Sequence, residues 1–393
     1  MKTIMDESGY KELLRESISF QWDKFGYFRH ICKRKNRSLE DIITAINDEE
    51  YYQIPAVTAT AFKKSKGLYK ELNDLTQSGK FQVSSNTSGD PSYVYTNNSE
   101  LEKVTENYRL TFGIEGTSRA IGFSPSLRIM EGLSKKSAFM GYESTARMKL
   151  SLDAAKKFYE NIVFTLDVDL FRTLISKVFN GKAVLRKKHL NEIVDIISAA
   201  EKTHEKINLG GFILLLYPYL DQLREGQFCF PDNACFTFAG GGYGGTKGAI
   251  TGKKVDKPEM IKKIASIFGL RKELFSKNLK DIYAFTESPA TNEGYWSDEL
   301  QDYLFESWHE TRAYIVDPET EKPLKSGKGL LKFISPYSNG TPSACNVSIL
   351  QLDYATIRGL RPDYTVSHFS HIERFRNAST EGCAYKAEEV ANI

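Results

Sequence analysis

Between Leu190 and Gly269 the chain alternates helix-type and strand-type patterns, and this alternation restricts the possible folds more than any other feature. Leu190, Ile193, Val194 and Ile197 recur at helical spacing and place an apolar stripe on one face. Phe212 to Leu216 is a short unbroken apolar run suited to a buried strand, and Tyr219 to Glu225 is expected to form a short helix. Cys235 to Phe238 reads as a second buried strand that runs directly into glycines. Pro258 then opens a helix in which Ile261, Ile264, Ala265 and Phe268 share a face, and Gly269 stops it. Strand, helix, strand, helix at this spacing predicts an α/β fold with mostly parallel sheets flanked by helices.

The flanks read differently. Tyr10 to Phe20 and Leu39 to Ile46 carry helical apolar patterns, the second preceded by Ser38 as N-cap. Lys33, Arg34, Lys35 and Arg37 make a short basic run, best read as a solvated loop. From residue 81 the composition changes to small hydroxylated residues between two β-prone segments, Phe81 to Val83 and Tyr93 to Tyr95, which reads as strand, loop, strand. After residue 311 come short strands, Arg312 to Val316, Gly329 to Ile334 and Val347 to Leu352, with Asp353 at the end of the last. The expected organisation is a helical region over 1–80, an α/β core over 81–310, a small β-rich subdomain over 311–353 and a C-terminal segment over 354–393.

Lys and Arg total 53 against 50 Asp and Glu, a balance that argues against a dedicated nucleic-acid binder. A chain of 393 residues buries roughly three quarters of its unfolded surface, so its core needs neither disulfide nor metal. Five cysteines without a CxxC pair fit reduced thiols in a cytoplasmic enzyme. The N-terminus lacks the apolar core of a signal peptide. The longest apolar run, Gly210 to Tyr217, is too short to cross a bilayer, so no transmembrane segment is expected.

Several segments offer chemistry. Ser84, Ser85, Asn86, Thr87, Ser88 and Gly89 put five hydroxyl or amide side chains beside a glycine, a set able to donate hydrogen bonds to polyphosphate oxygens. A polar surface turn has the same composition, and no GxxxxGK[ST] is present. The second segment, Gly240, Gly241, Gly242, Tyr243, Gly244 and Gly245 followed by Thr246 and Lys247, leaves a predicted strand and allows close approach to a flat or anionic ligand. Tyr243 is placed to stack on a base or cap an acyl pocket; a flexible linker is the alternative. The third, Tyr283 to Ser288, pairs Thr286 with Glu287 at a strand end: a hydroxyl for phosphate and a carboxylate for a divalent ion. Asp353 is able to accept two hydrogen bonds from a ribose, or simply to end its strand.

Cys383 stands between Gly382 and Ala384, small neighbours that leave a thiol accessible as a nucleophile. Lys386, His371 or Arg374 would favour its thiolate; an inert cysteine in a tail is the other reading. Phe212, Leu214 and Tyr217 are apolar enough to line an acyl tunnel, though core packing is the better reading of them.

Taken in order, these segments resemble the LuxE-type acyl-protein synthetases, short relatives of the adenylate-forming acyl ligases. The resemblance runs from about residue 80 onward. Ser84 to Gly89 is similar to the family's SSGTxG phosphate loop, with Asn86 in a glycine position. Ala239 to Tyr243 resembles TGGGW with Tyr243 for tryptophan, and Lys247 stands in for the lysine whose place Gly244 takes. Tyr283 to Glu287 resembles Y-G-x-T-E with Ala284 for glycine. Val316 to Thr320 with Pro323, Gly329 and Leu330 matches DPET…P…GL, and Asp353 falls on the ribose-binding aspartate. Glu381 to Ala384 matches the GCA tail, whose cysteine accepts the acyl group.

The resemblance implies an adenylate-forming large domain, with Ser84, Ser85, Thr87, Ser88, Gly89, Lys247 and Asp353 binding ATP. Gly240, Gly241, Gly242, Tyr243 and Tyr283 would form the acyl and adenine pocket. Thr286 and Glu287 would serve catalysis, with Mg2+ held by Glu287 through the nucleotide, and Cys383 would carry the acyl group. A carboxylic acid, fatty in that family, is the implied substrate and an acyl reductase the implied partner. Residues 354–393 are too few for the mobile domain of larger adenylating ligases, but enough to place one thiol. Transfer to an amine or coenzyme A, and a non-catalytic acyl-binding scaffold, are the competing readings.

Overall fold

The computed structural model describes residues 6–63, 79–84, 92–97, 101–102, 105, 116–117, 119–125, 138–139, 142–159, 161–166, 178–179, 182–183, 187–240, 243, 255–288, 291–307, 310–336 and 347–374. Three helices open the chain: α1 (Glu7–Lys24), α2 (Gly26–Arg34) and α3 (Leu39–Asn47). The Asp6 carboxylate accepts the Gly9 N–H at the start of α1, and Ser38 with Asp41 forms a capping box on α3. Such caps satisfy N–H groups that a helix start leaves open, at about 1 kcal/mol each. Tyr10, Leu14 and Ile18 of α1 and Ile42 and Ile46 of α3 face inward together, as their spacing requires.

The strands are β1 (Val57–Thr58), β2 (Gly79–Val83), β3 (Tyr93–Asn97), β4 (Arg119–Pro125), β5 (Ala138–Phe139), β6 (Tyr142–Ala146), β7 (Asn161–Leu166), β8 (Val178–Phe179) and β9 (Lys182–Ala183). They continue as β10 (Ile207–Phe212), β11 (Ala234–Ala239), β12 (Leu279–Ala284), β13 (Thr291–Ser297), β14 (Asp302–Glu306), β15 (Arg312–Val316), β16 (Lys328–Ile334), β17 (Ser348–Leu360) and β18 (Val366–Arg374). Five more helices intervene: α4 (Arg147–Phe158), α5 (Lys187–Lys202), α6 (Ile213–Leu220), α7 (Lys257–Phe268) and α8 (Phe275–Asn278).

Among the described residues, one 12-stranded sheet dominates, in the order β15-β16-β17-β18-β14-β13-β12-β11-β10-β4-β7, with β1 pairing β17 from outside that path. Its β7-β4-β10-β11-β12 half is parallel throughout. From β12 to β15 every pairing is antiparallel. The sheet is therefore mixed: parallel where helical crossovers join the strands, antiparallel where short turns do. The strands after residue 311 continue this same sheet. A second, four-stranded sheet has the order β3-β2-β6-β5.

One apolar core packs α5, α6 and α7 against the parallel half, with Phe236, Phe238, Ile264 and Phe268 among its members. A second seats α1 to α3 on the antiparallel half, joining Tyr10, Leu14 and Ile46 to Tyr314, Val316, Leu330 and Ile349. Polar contacts reinforce that seat. Arg312 pairs with Glu7 at 2.7 Å, and the buried Lys332 ammonium donates to the Tyr52 and Ile54 carbonyls, each at 2.7 Å.

Two expectations need correction. The run Phe212 to Leu216 is not a strand: β10 ends at Phe212, and Ile213 begins α6, which ends at Leu220 rather than reaching Glu225. A short apolar run fits a buried strand and a buried helix equally, so periodicity cannot decide between them. Gly211 decides it: at φ +126° its missing Cβ lets β10 press on Phe123, where a Cβ would lie 2.5 Å from the carbonyl oxygen. Asp353 does not end its strand either. It lies inside β17, which pairs with β18 as far as Leu360.

Candidate active site

Open α/β sheets bind ligands beyond the carboxyl ends of their parallel strands. Here β11 ends at Ala239 and β12 at Ala284, side by side, with Ala239 opposite Ile282. Tyr283 projects at that edge. Its hydroxyl donates to Asp353 Oδ2 at 2.8 Å, bringing together two predicted site residues 70 positions apart in the chain. The Tyr283 ring sits among Phe285, Phe305 and Phe333, with centroids 5.8, 6.4 and 6.3 Å away. Beyond β12, Thr286 and Glu287 occupy the turn and are buried. The Asn292 amide donates to the Tyr283 carbonyl at 3.1 Å. Asn292 Oδ1 and Gln351 Nε2, both buried on strands near this edge, have no hydrogen-bond partner among the described residues. Such atoms call for a ligand or water to satisfy them.

Arg374, last residue of β18, stands directly opposite Asp353 in the β17–β18 ladder.

The start of the glycine-rich segment is anchored in the core. Gly240 turns away from β11 at φ +82°. The Tyr243 hydroxyl donates to Asp281 Oδ2 at 3.3 Å, and the Val255 N–H donates to the Tyr243 carbonyl at 3.0 Å. Lys257, at the start of α7, lies 5.0 Å from the centre of the Tyr243 ring and pairs with Asp302. The His371 N–H donates to the other Asp302 oxygen at 3.1 Å. Burial pushes the Asp281 carboxyl up to about 6, against the pull of Lys257. Asp281, Lys257 and Asp302 escaped the sequence reading, because charged residues on three separate elements form no linear pattern.

Ser84 closes the β2–β3 hairpin neck: its N–H donates to the Ser92 carbonyl at 2.9 Å and its Oγ accepts the Ser92 N–H at 2.7 Å. Ser85, Asn86, Thr87, Ser88, Gly89, Gly241, Gly242, Gly244, Lys247, Cys383 and Lys386 lie outside the described residues.

A cavity runs along the face of β4, β10 and β11 beneath α4. Ile121, Leu152, Ile162, Phe164, Phe212 and Ala239 give it apolar walls. The space open to centres of water-sized spheres is ≈ 70 Å³, several water molecules' worth. Phe212 lines this cavity, whereas Tyr217 packs in the main core. Ala239, last residue of β11, links the cavity to Gly240 and pairs with Ile282, the residue before Tyr283.

Among the described residues no group of three or more His, Cys, Asp or Glu side chains is arranged to hold a metal ion. The buried Glu287 carboxylate fits a magnesium ion that arrives with phosphate oxygens as its other ligands, the usual mode for that ion. No described helix is long and apolar enough to cross a membrane.

The sequence profile described as "Acyl-protein synthetase, LuxE" matches residues 172–391. Among curated proteins none matches. In fold the chain is similar to 2-hydroxyisobutyryl-CoA ligase in complex with 2-HIB-AMP and CoA, with a TM-score of 0.54 at 12% identity, covering 94% of this chain and 68% of that one. It is also similar to McyG A-PCP complexed with phenylalanyl-adenylate (TM-score 0.46, 13% identity, 77% of this chain and 48% of that one). ATP-bound MatB from Rhodopseudomonas palustris gives 0.43 at 12% identity, with 75% and 47% covered. The chain spans about half the length of these last two. At such identities the likeness is one of fold: an α/β large domain of the adenylate-forming type.

Proposed function

Because that profile covers more than half of its length, the chain belongs to the LuxE acyl-protein synthetase family of acid–thiol ligases, and we propose from this that it activates a carboxylic acid as acyl-adenylate and then carries the acyl group on Cys383. One observation carries the reading. Asp353 is bonded to Tyr283 at the carboxyl-end edge of the parallel strands, and its ladder partner Arg374 precedes Cys383 by nine positions in the sequence. The nine residues from Arg374 to Cys383 span at most about 30 Å, which tethers the thiol within reach of this edge.

Two displacements follow. A carboxylate oxygen of the acid forms a bond to the α-phosphorus of ATP while the bond to pyrophosphate breaks, giving acyl-adenylate and pyrophosphate. The Cys383 thiolate, its proton released to solvent, then attacks the acyl carbon; the bond to the AMP oxygen breaks, leaving thioester and AMP. Asp353 accepts from the ribose hydroxyls, and Tyr283 holds that carboxylate in place. Thr286 and the hydroxyl-rich loop from Ser84 to Gly89, with Lys247, donate to the phosphates. Bound through Glu287, magnesium would offset phosphate charge. The cavity takes the acyl chain, and an acyl-acceptor protein such as a reductase receives the product.

Acid-dependent ATP–pyrophosphate exchange tests the first half-reaction. The reading expects exchange with at least one member of a panel of aliphatic and aromatic acids, and its absence over the whole panel removes the adenylation claim.

A further inference from the structure

The cavity beneath α4 is apolar along its walls and polar at its inner end. Asn208, on β10, lies four residues before Phe212, about 13 Å back along the strand from the active edge. Its amide nitrogen donates to the Tyr159 hydroxyl at 2.7 Å, and its amide oxygen accepts from Thr237 Oγ1 at 3.1 Å. All three side chains are buried, at 4% (Asn208), 3% (Tyr159) and 1% (Thr237) exposure, and all three line the cavity. Tyr159 and Thr237 fix the amide in the wall of the cavity. A Cβ built on Gly210, another lining residue, would stand 3.9 Å from Asn208 Nδ2. A primary amide has two N–H bonds, and only one is used by Tyr159.

A buried amide in the wall of a mostly apolar pocket, whose other polar linings include Ser124 and Ser151, is a costly feature to retain for packing alone, since apolar side chains fill such space without desolvation. Pockets gain orientation and selectivity from a few polar groups of this kind among apolar walls. We propose that the cavity takes an acid with an apolar body and a hydrogen-bond acceptor, a hydroxyl, ether or keto oxygen, at its distal end, and that Asn208 reads this group. The inference rests on the acid-activating reading and names its substrate class. Asn208 acts by contact with the substrate, while Tyr159 and Thr237 are positioning residues that hold the amide. An unbranched alkyl end placed here would leave the second N–H without a partner, a loss that polar-reading sites convert into discrimination.

The test compares straight-chain acids with their ω-hydroxy counterparts over a series of lengths, using calorimetric binding and ATP–pyrophosphate exchange on the full chain. The expected result is one length at which the ω-hydroxy acid is favoured about tenfold, the scale of one well-made hydrogen bond. Asn208→Leu should level that pair, and Tyr159→Phe, which keeps the amide but loosens it, should reduce the preference without abolishing it. Methyl-ended acids equal to or better than hydroxy-ended ones at every length in the unaltered protein overturn the inference, whatever the variants do. Exchange without this preference defeats the inference and leaves the enzyme reading standing; preferential binding without exchange does the reverse.

Discussion

The Tyr283 hydroxyl donates to the Asp353 carboxylate at 2.8 Å, joining β12, last strand of the parallel half of the sheet, to β17 in its antiparallel half. A hydrogen bond to a charged acceptor contributes about 1.5–3 kcal/mol. Tyr283→Phe keeps the ring among Phe285, Phe305 and Phe333 and removes only the donor. The expected result is a rise of roughly tenfold in the KM for ATP in pyrophosphate exchange, with little change in melting temperature. An unchanged KM would show that Asp353 is held in place by something else.

Asp281 makes stability depend on pH in a direction that its burial fixes. Its folded pKa is raised to about 6, so between an ordinary carboxylate value and pH 6 the folded state holds more protons than the unfolded one. Stability from this group therefore falls as pH rises through that window, and the cost persists above it. Asp281→Asn keeps a hydrogen-bonding partner for Tyr243 and does not titrate. Relative to the unaltered protein, its stability should improve by about 3 kcal/mol between pH 4 and pH 7. Denaturant melts at both values check this, and a constant difference rejects it.

Lys332 behaves in the opposite sense. Burial pulls its ammonium down to about 7, so above that value the folded state is neutral while the unfolded chain remains charged. The unfolded state then holds more protons, and stability rises with pH from about 7 toward 10. Lys332→Met lacks this slope. The melting temperature of the unaltered protein should gain on the variant across that range; parallel curves would mean that Lys332 stays charged in the fold.

Ala155 lines the cavity from α4. Ala155→Phe places a ring in the acyl space and should cut kcat/KM for long acids at least about tenfold while sparing the shortest acids, as removing or blocking apolar contact does at this scale. Equal losses at all lengths would place the acyl chain elsewhere.

How much of this was legible beforehand depends on whether the signal is local. Ser38 before an apolar helix, Pro258 and Gly269 around α7, and Cys235 to Phe238 running into glycines all act through neighbours in the chain, and each element formed where its pattern placed it. The run from Phe212 to Leu216 misled because five apolar residues look alike in strand and helix; the turn between them was set by contact of Gly211 with Phe123, on a strand nearly 90 residues away. Thr286, Glu287 and Asp353 were singled out through ordered motifs, but the tyrosine–aspartate bond that brings two of the motifs together is not visible in them. Nor were the Asp281–Lys257–Asp302 anchor and the Tyr159–Asn208–Thr237 group, whose members lie on separate elements and meet only after the sheet has assembled.

The account depends most directly on the thiol at position 383. Intact-mass measurement after incubation with ATP, magnesium and a carboxylic acid that supports exchange should show one added acyl group, released by hydroxylamine and absent from Cys383→Ala. An adduct of the same mass on Cys383→Ala, or none on the unaltered protein despite active exchange, contradicts transfer to this cysteine.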